Sequence, residues 1–192
     1  MDISIQLMAT LWMIYNNVLE YIEYRGLSCK TTLNEATFNK EMSLNHYIII
    51  TCGQTIIILA RPSAMVGRRS ADFIKTITPH KNKEIIFITN EVVRAKLVER
   101  VVLDGFNLRS LSYNTFIINI TRAPMVPRHV IVDPTDIELI LNNIGYEAIN
   151  LPKILYSDPQ SIWLGAKVGD IVKTTAYNEQ TGTATNYRIV VR

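Results

Sequence analysis

The stretch "EIIFITNEVVRAKLVERVVLDGFNLRSLSY", residues 84–113, changes its period twice. "EIIFIT" is an apolar run of strand length, "NEVVRAKLVERVV" carries apolar residues at helical spacing, and "LRSLSY" is again of strand length. Strand, helix and strand with short connections make a βαβ unit, whose two strands lie parallel in one sheet. Upstream, "YIIIT" and "TIIILA" flank Cys52, Gly53 and Gln54, which reads as a hairpin turn between two buried strands. "GRRSADFIKTI" between that hairpin and residue 84 reads as a helix, and "FIINI" at Phe116–Ile120 as a further strand.

The N-terminal run "ISIQLMATLWMIYNNVLEYIEYR" is apolar enough to test as a signal or membrane segment. Asp2 stands where a signal peptide needs positive charge, and Asn16, Asn17, Glu20 and Glu23 interrupt the run before it reaches spanning length. Leu7, Leu11, Ile14, Val18 and Ile22 instead recur at helical spacing, so an amphipathic helix is expected to dock on its own domain. No membrane association is expected.

Pro124 and Pro127 in "TRAPMVPRHV" hold the chain extended, which suggests a boundary between domains 1–122 and 123–192. Beyond it, Asp133 is expected to cap a helix with Pro134 in its first position, Asp136 in its first turn and Gly145 at its end. Asp158 is expected to cap a short helix from Pro159 to Gly165. "DIVKTTAY" and "ATNYRIVV" then read as antiparallel strands joined around Gly182. The expected fold is α+β: an N-terminal α/β domain with a covering helix, followed by a small mixed α/β domain. A domain of about 70 residues buries only about 60% of its unfolded surface, so its many fixed turns compensate for a small core, and a partner would stabilise it further.

The 192 residues are 48% hydrophobic and carry a formal charge of +3, which permits nucleic-acid contact without marking a dedicated binder. Cys29 and Cys52 read as reduced, packed thiols of an intracellular protein. His46, His80 and His129 lie far apart without ligand spacing, so neither metal nor cofactor is expected. Signatures for acyl transfer, phosphate loops and dinucleotides are missing. A nuclease of the restriction-endonuclease-like class is the enzyme alternative, but no lysine has Asp or Glu two residues before it, and the metal-holding Asp/Glu-x-Lys is absent. No catalytic residue is assigned. Basic residues at Arg68, Arg69, Lys81, Lys83, Arg94, Lys96 and Arg100 fit a solvated face or contact with a DNA backbone, and a stand-alone nucleic-acid-binding module is the second alternative.

Five C-terminal motifs occur in order: "VPRH" (126–129), "LPKI" (151–154), "DP" (158–159), "LGAKVGDIVK" (164–173) and "YRIVV" (187–191). Together they resemble the assembly domain of the RNA polymerase subunit called H in archaea and the fifth subunit, shared by polymerases I, II and III, in eukaryotes. The resemblance covers about the last 67 residues. A family turn, Arg-x-Ser-Glu-Thr-Ala-Gly, falls on "AYNEQTG" (176–182) and keeps only Glu179 and Gly182. The first 120 residues resemble the eukaryotic jaw domain more weakly, through "RGL", "FITN" and "FIINITRAPMVPRH".

The resemblance implies a non-catalytic polymerase subunit that docks on the largest subunit and sits among the others. It makes Pro127, Arg128, His129, Pro152, Lys153, Asp158, Pro159, Lys167, Gly169, Asp170, Lys173, Tyr187 and Arg188 the docking candidates. It also places the loop at Thr89–Arg94 near downstream duplex DNA, where Asn90, Arg94 and Lys96 are candidates for weak contact that does not read sequence. The drift from the cellular pattern points to a chain encoded by a large DNA virus, which would work in the host cytoplasm or virion, whereas a cellular chain would be nuclear.

Overall fold

The computed structural model describes residues 3–29, 32–45, 47–62, 74–90, 101–178 and 182–192, and the chain forms two compact units, Met1–Ile118 and Asn119–Arg192. The division falls just upstream of the expected 122/123.

In the first unit, α1 (Ile3–Tyr24) and α2 (Glu35–Asn45) precede β1 (Tyr47–Cys52), β2 (Thr55–Ala60), β3 (Glu84–Thr89) and β4 (Asn107–Ser112). The strands form one sheet in chain order; β1 and β2 are antiparallel, while β2, β3 and β4 run parallel. The parallel pairing of β3 and β4 is as expected; of the helix expected between them, residues 91–100 lie outside the described residues and 101–103 are helical. Residues 74–77 are helical, and the rest of "GRRSADFIKTI" lies outside the described residues.

Both faces of β2 and β3 are buried. Ile56, Ile58, Ile85 and Phe87 meet Ile77 and Val101 on one face. The alternate residues Ile57, Leu59, Ile86 and Ile88 are also completely covered. Each fully buried isoleucine contributes about 1.5–3 kcal/mol, so this double-sided core dominates the unit. Helix α1 lies over the second face: Arg25 reaches Glu84, and Tyr21 senses the charge of Arg109, both on that side of the sheet. Leu11, Ile14, Val18 and Ile22 form its buried stripe, joined by Tyr15 and Tyr21.

Three expectations for this unit need correction. Strand β1 is not buried throughout: Ile48, Ile50 and Cys52 face inward while Ile49 and Thr51 are exposed, because β1 is an edge strand with one covered face. Helix α2 was not expected, since its sequence is mostly polar and only Phe38 and Met42, one turn apart, are buried. Its start is fixed by Asn34, whose side chain accepts the Thr37 N–H at 2.9 Å. Phe38 joins Trp12 and Tyr15 in an aromatic cluster with ring centroids 5.1–5.4 Å apart. Finally, "FIINI" is not a strand. A 3-10 turn occupies Tyr113–Phe116 and a second Ile120–Arg122, started by the side chains of Ser112 and Asn119. Asn17 of α1 donates to the carbonyls of Phe116 and Ile117, at 2.7 and 3.0 Å, so those groups are taken from any ladder.

In the second unit, β5 (Arg128–Ile131), α3 (Ile137–Ile144), β6 (Lys153–Leu155), α4 (Pro159–Leu164), β7 (Ile171–Asn178) and β8 (Gly182–Val191) build a mixed sheet of order β5-β7-β8-β6. The long β7–β8 pair is antiparallel as expected, and β6 joins β8 in parallel. Ile137, Ile140, Leu141 and Ile144 of α3 pack on Val132, Ile171 and Ile189 of one face. Ile154, Val172 and Val190 cover the other face with Leu164 and Ala166 from the end of α4. Here the α3 start is corrected: Asp133 closes a local turn by accepting the N–H and hydroxyl of Thr135 at 2.9 and 2.6 Å, and helix begins only after Asp136. Pro134 therefore precedes the helix. The same two bonds hold the exposed Asp133 carboxyl below its ordinary pKa.

Candidate functional site

The motif residues of the second unit do local structural work first. Asp158 Oδ1 accepts the Gln160 N–H at 2.8 Å, Pro159 occupies the first turn of α4, and Gly165 ends it at φ +69°. Asp158→Ala is expected to destabilise this unit by about 0.5–2 kcal/mol, read from denaturant unfolding, because it leaves a helix-start N–H unpaired. An unchanged midpoint would remove the capping role.

Asp170 accepts the Lys167 N–H at 2.7 Å, and Gly169, at φ +96°, sends its N–H to the Val190 carbonyl at 2.9 Å. Gly169 is needed because side-chain-bearing residues rarely adopt that backbone. His129 Nδ1 lies 2.7 Å from the Pro127 carbonyl, which orients the ring, and Arg188 Nη1 reaches the Lys153 carbonyl at 3.4 Å.

Strand register sorts the candidates onto two faces. Cross-strand partners share a face, so Arg128, Lys173, Tyr187 and Lys153 lie on the side packed by α3. His129 and Arg188 lie on the opposite side. Pro127, Pro152, Asp158, Lys167, Gly169 and Asp170 occupy turns at strand and helix ends, and Pro159 opens α4. The thirteen candidates thus form two surfaces with connecting turns. A groove of about 380 Å³ on the α3 side brings Pro152 and Tyr187 together with Ile144, Tyr146, Leu151 and Thr185. Tyr146 was missed by sequence reasoning; it is 59% exposed just past Gly145, where the helix stop was visible but the exposure of the next ring was not. Among the described residues no group of three or more His, Cys, Asp or Glu is placed to hold a metal ion.

Of the candidates in the first unit, Asn90 is exposed at the end of β3, and Arg94 and Lys96 lie outside the described residues. No helix among the described residues is long and apolar enough to cross a membrane.

The model for the "RNA polymerase Rpb5, C-terminal domain" family matches residues 118–190, nearly the whole second unit. Over 67 residues the chain is 43% identical to the DNA-directed RNA polymerase subunit Rpo5 of Methanococcus vannielii, covering 35% of this chain and 86% of that protein. Rpo5 of Methanothrix thermoacetophila is 37% identical with the same coverage. Rpo5 of Sulfolobus acidocaldarius is 35% identical over 74 residues, which is 38% of this chain and 88% of that protein. These relatives are spanned almost end to end by a piece of this chain no longer than its second unit, and the chain belongs to the Rpb5/Rpo5 family of DNA-directed RNA polymerase subunits.

Proposed function

We propose that this protein is a non-catalytic subunit of a multisubunit DNA-directed RNA polymerase, held on the largest subunit by residues 119–192. The observation that carries the reading is that the family match falls, but for its first residue, within one compact unit, while the archaeal relatives consist of little more than its equivalent. That unit presents exposed apolar and basic groups, among them Val130, Lys153, Leu155 and Lys173, on a sheet whose turns are fixed by hydrogen bonds. A rigid surface of that kind suits docking, because little conformational freedom is lost on binding.

The first unit then acts as a jaw near downstream DNA. Asn90, Arg94 and Lys96 touch the phosphate backbone weakly and read no bases, in keeping with a net charge of only +3. Synthesis of RNA belongs to the largest subunits, and this chain bridges them to the incoming duplex.

Affinity purification of the tagged full chain from its native source tests the assignment. Two very large polymerase chains are expected to copurify in stoichiometric amounts. Recovery of the tagged chain without them, under salt that preserves polymerases, would sink the reading.

A further inference from the structure

Helix α1 ends at a turn where Gly26 takes φ +66° and the Leu27 N–H returns to the Ile22 carbonyl at 3.0 Å. That turn is anchored to the sheet. Arg25 Nη2 lies 3.2 Å from Glu84 Oε2, and the same carboxylate oxygen accepts the Thr55 hydroxyl at 3.0 Å. The Glu84 N–H bonds to the Gln54 carbonyl at 2.9 Å. The chain leaving α1 therefore arrives beside the β1–β2 turn, with Cys29 four residues after Arg25 and Cys52 paired across the hairpin with Thr55. Cys52 faces the side of the sheet on which α1 lies and is only 2% exposed, whereas Cys29 is half-buried. Neither sulfur is in a disulfide, and their side chains share a hydrogen bond.

We propose that Cys29 and Cys52 are an oxidant-responsive dithiol, which a peroxide closes into an intramolecular disulfide that ties the α1–α2 connection to the β1–β2 hairpin. Cys29, the more accessible sulfur, attacks as its thiolate. The peroxide O–O bond breaks, one oxygen stays on sulfur as a sulfenic acid, and the other leaves as hydroxide and takes up a proton. The Cys52 sulfur then attacks the Cys29 sulfur. The S–O bond breaks, and the departing hydroxyl carries away the Cys52 proton as water. Two thiols have lost two hydrogens, and one peroxide has become two waters. Closing the bond brings the two sulfurs to about 2.05 Å, and the side-chain contact between Cys29 and Cys52 starts them as neighbours. Burial, and then Cys29, push the Cys52 thiol up to about 12, with the Arg25 guanidinium opposing. Cys52 is thus protonated at rest, which leaves the more accessible Cys29 as the sulfur that meets the oxidant.

The test treats the reduced full chain with one equivalent of hydrogen peroxide, blocks remaining thiols by alkylation, and maps the peptides by mass spectrometry. The expected product is a Cys29–Cys52 crosslink within one chain, reversed by dithiothreitol, with a higher melting temperature than the reduced chain. Cys29→Ser is expected to leave Cys52 unoxidised under the same conditions, while Cys52→Ser leaves Cys29 to overoxidise or to link two chains. Full alkylation of both thiols after wild-type treatment overturns the proposal, and so does a wild-type product linked only between chains. The wild-type mapping decides the matter even if a variant fails to fold.

Discussion

Trp163→Ala is expected to unfold the second unit at ordinary temperatures. Trp163 sits in the six-residue helix α4 with no exposed surface, and it is the largest fully buried side chain among the described residues. Removing a buried aromatic of this size costs about 3–5 kcal/mol, the transfer of the ring plus the cavity left behind. Whole domains are stable by only about 5–15 kcal/mol, and units of some 70 residues lie near the bottom of that range. The substitution therefore takes most or all of the margin. Hydrogen exchange reads the result directly: amides of β7 and β8, paired from Ile171–Ile189 to Asn178–Gly182, should lose their protection. Trp163→Phe, which keeps most of the volume, should retain it. If the alanine variant keeps wild-type protection, the ring is dispensable and the core of this unit lies elsewhere.

What was legible in the sequence follows from how local each signal is. The βαβ pairing of β3 and β4, the α1 stripe, the Asp158 cap and the Gly165 stop were readable because each depends on residues close in the chain. Strands β5 and β6 were not, having four and three residues, too few to display a period, and owing their existence to partners far along the chain. Helix α2 hid for a related reason: two buried anchors in eleven residues make no stripe, although Asn34 marked its start. The docking candidates were recognised as motifs, yet their division between two sheet faces needed the register of β7 on β8, which no single stretch encodes.

Phe116→Ala and Ile118→Ala should differ sharply in cost, and the contrast separates the observed turn from the strand that the run "FIINI" suggested. In a strand, Phe116, Ile118 and Ile120 would point to one face, so the first two would be buried alike. In the structure Phe116 is fully buried while Ile118 is 68% exposed. The Phe116 ring meets Tyr21 of α1 edge-on, with centroids 5.3 Å apart, and its carbonyl accepts the Asn17 amide. It is thus the plug by which the segment after β4 holds α1. Losing it should destabilise the first unit by about 3–5 kcal/mol. Ile118→Ala removes a mostly solvated side chain and should shift stability by no more than about 0.5 kcal/mol. Urea midpoints for the two full-chain variants decide between the readings: equal losses would restore the strand, and a large loss confined to Phe116 establishes that an apolar run of strand length here works as a turn with one buried anchor.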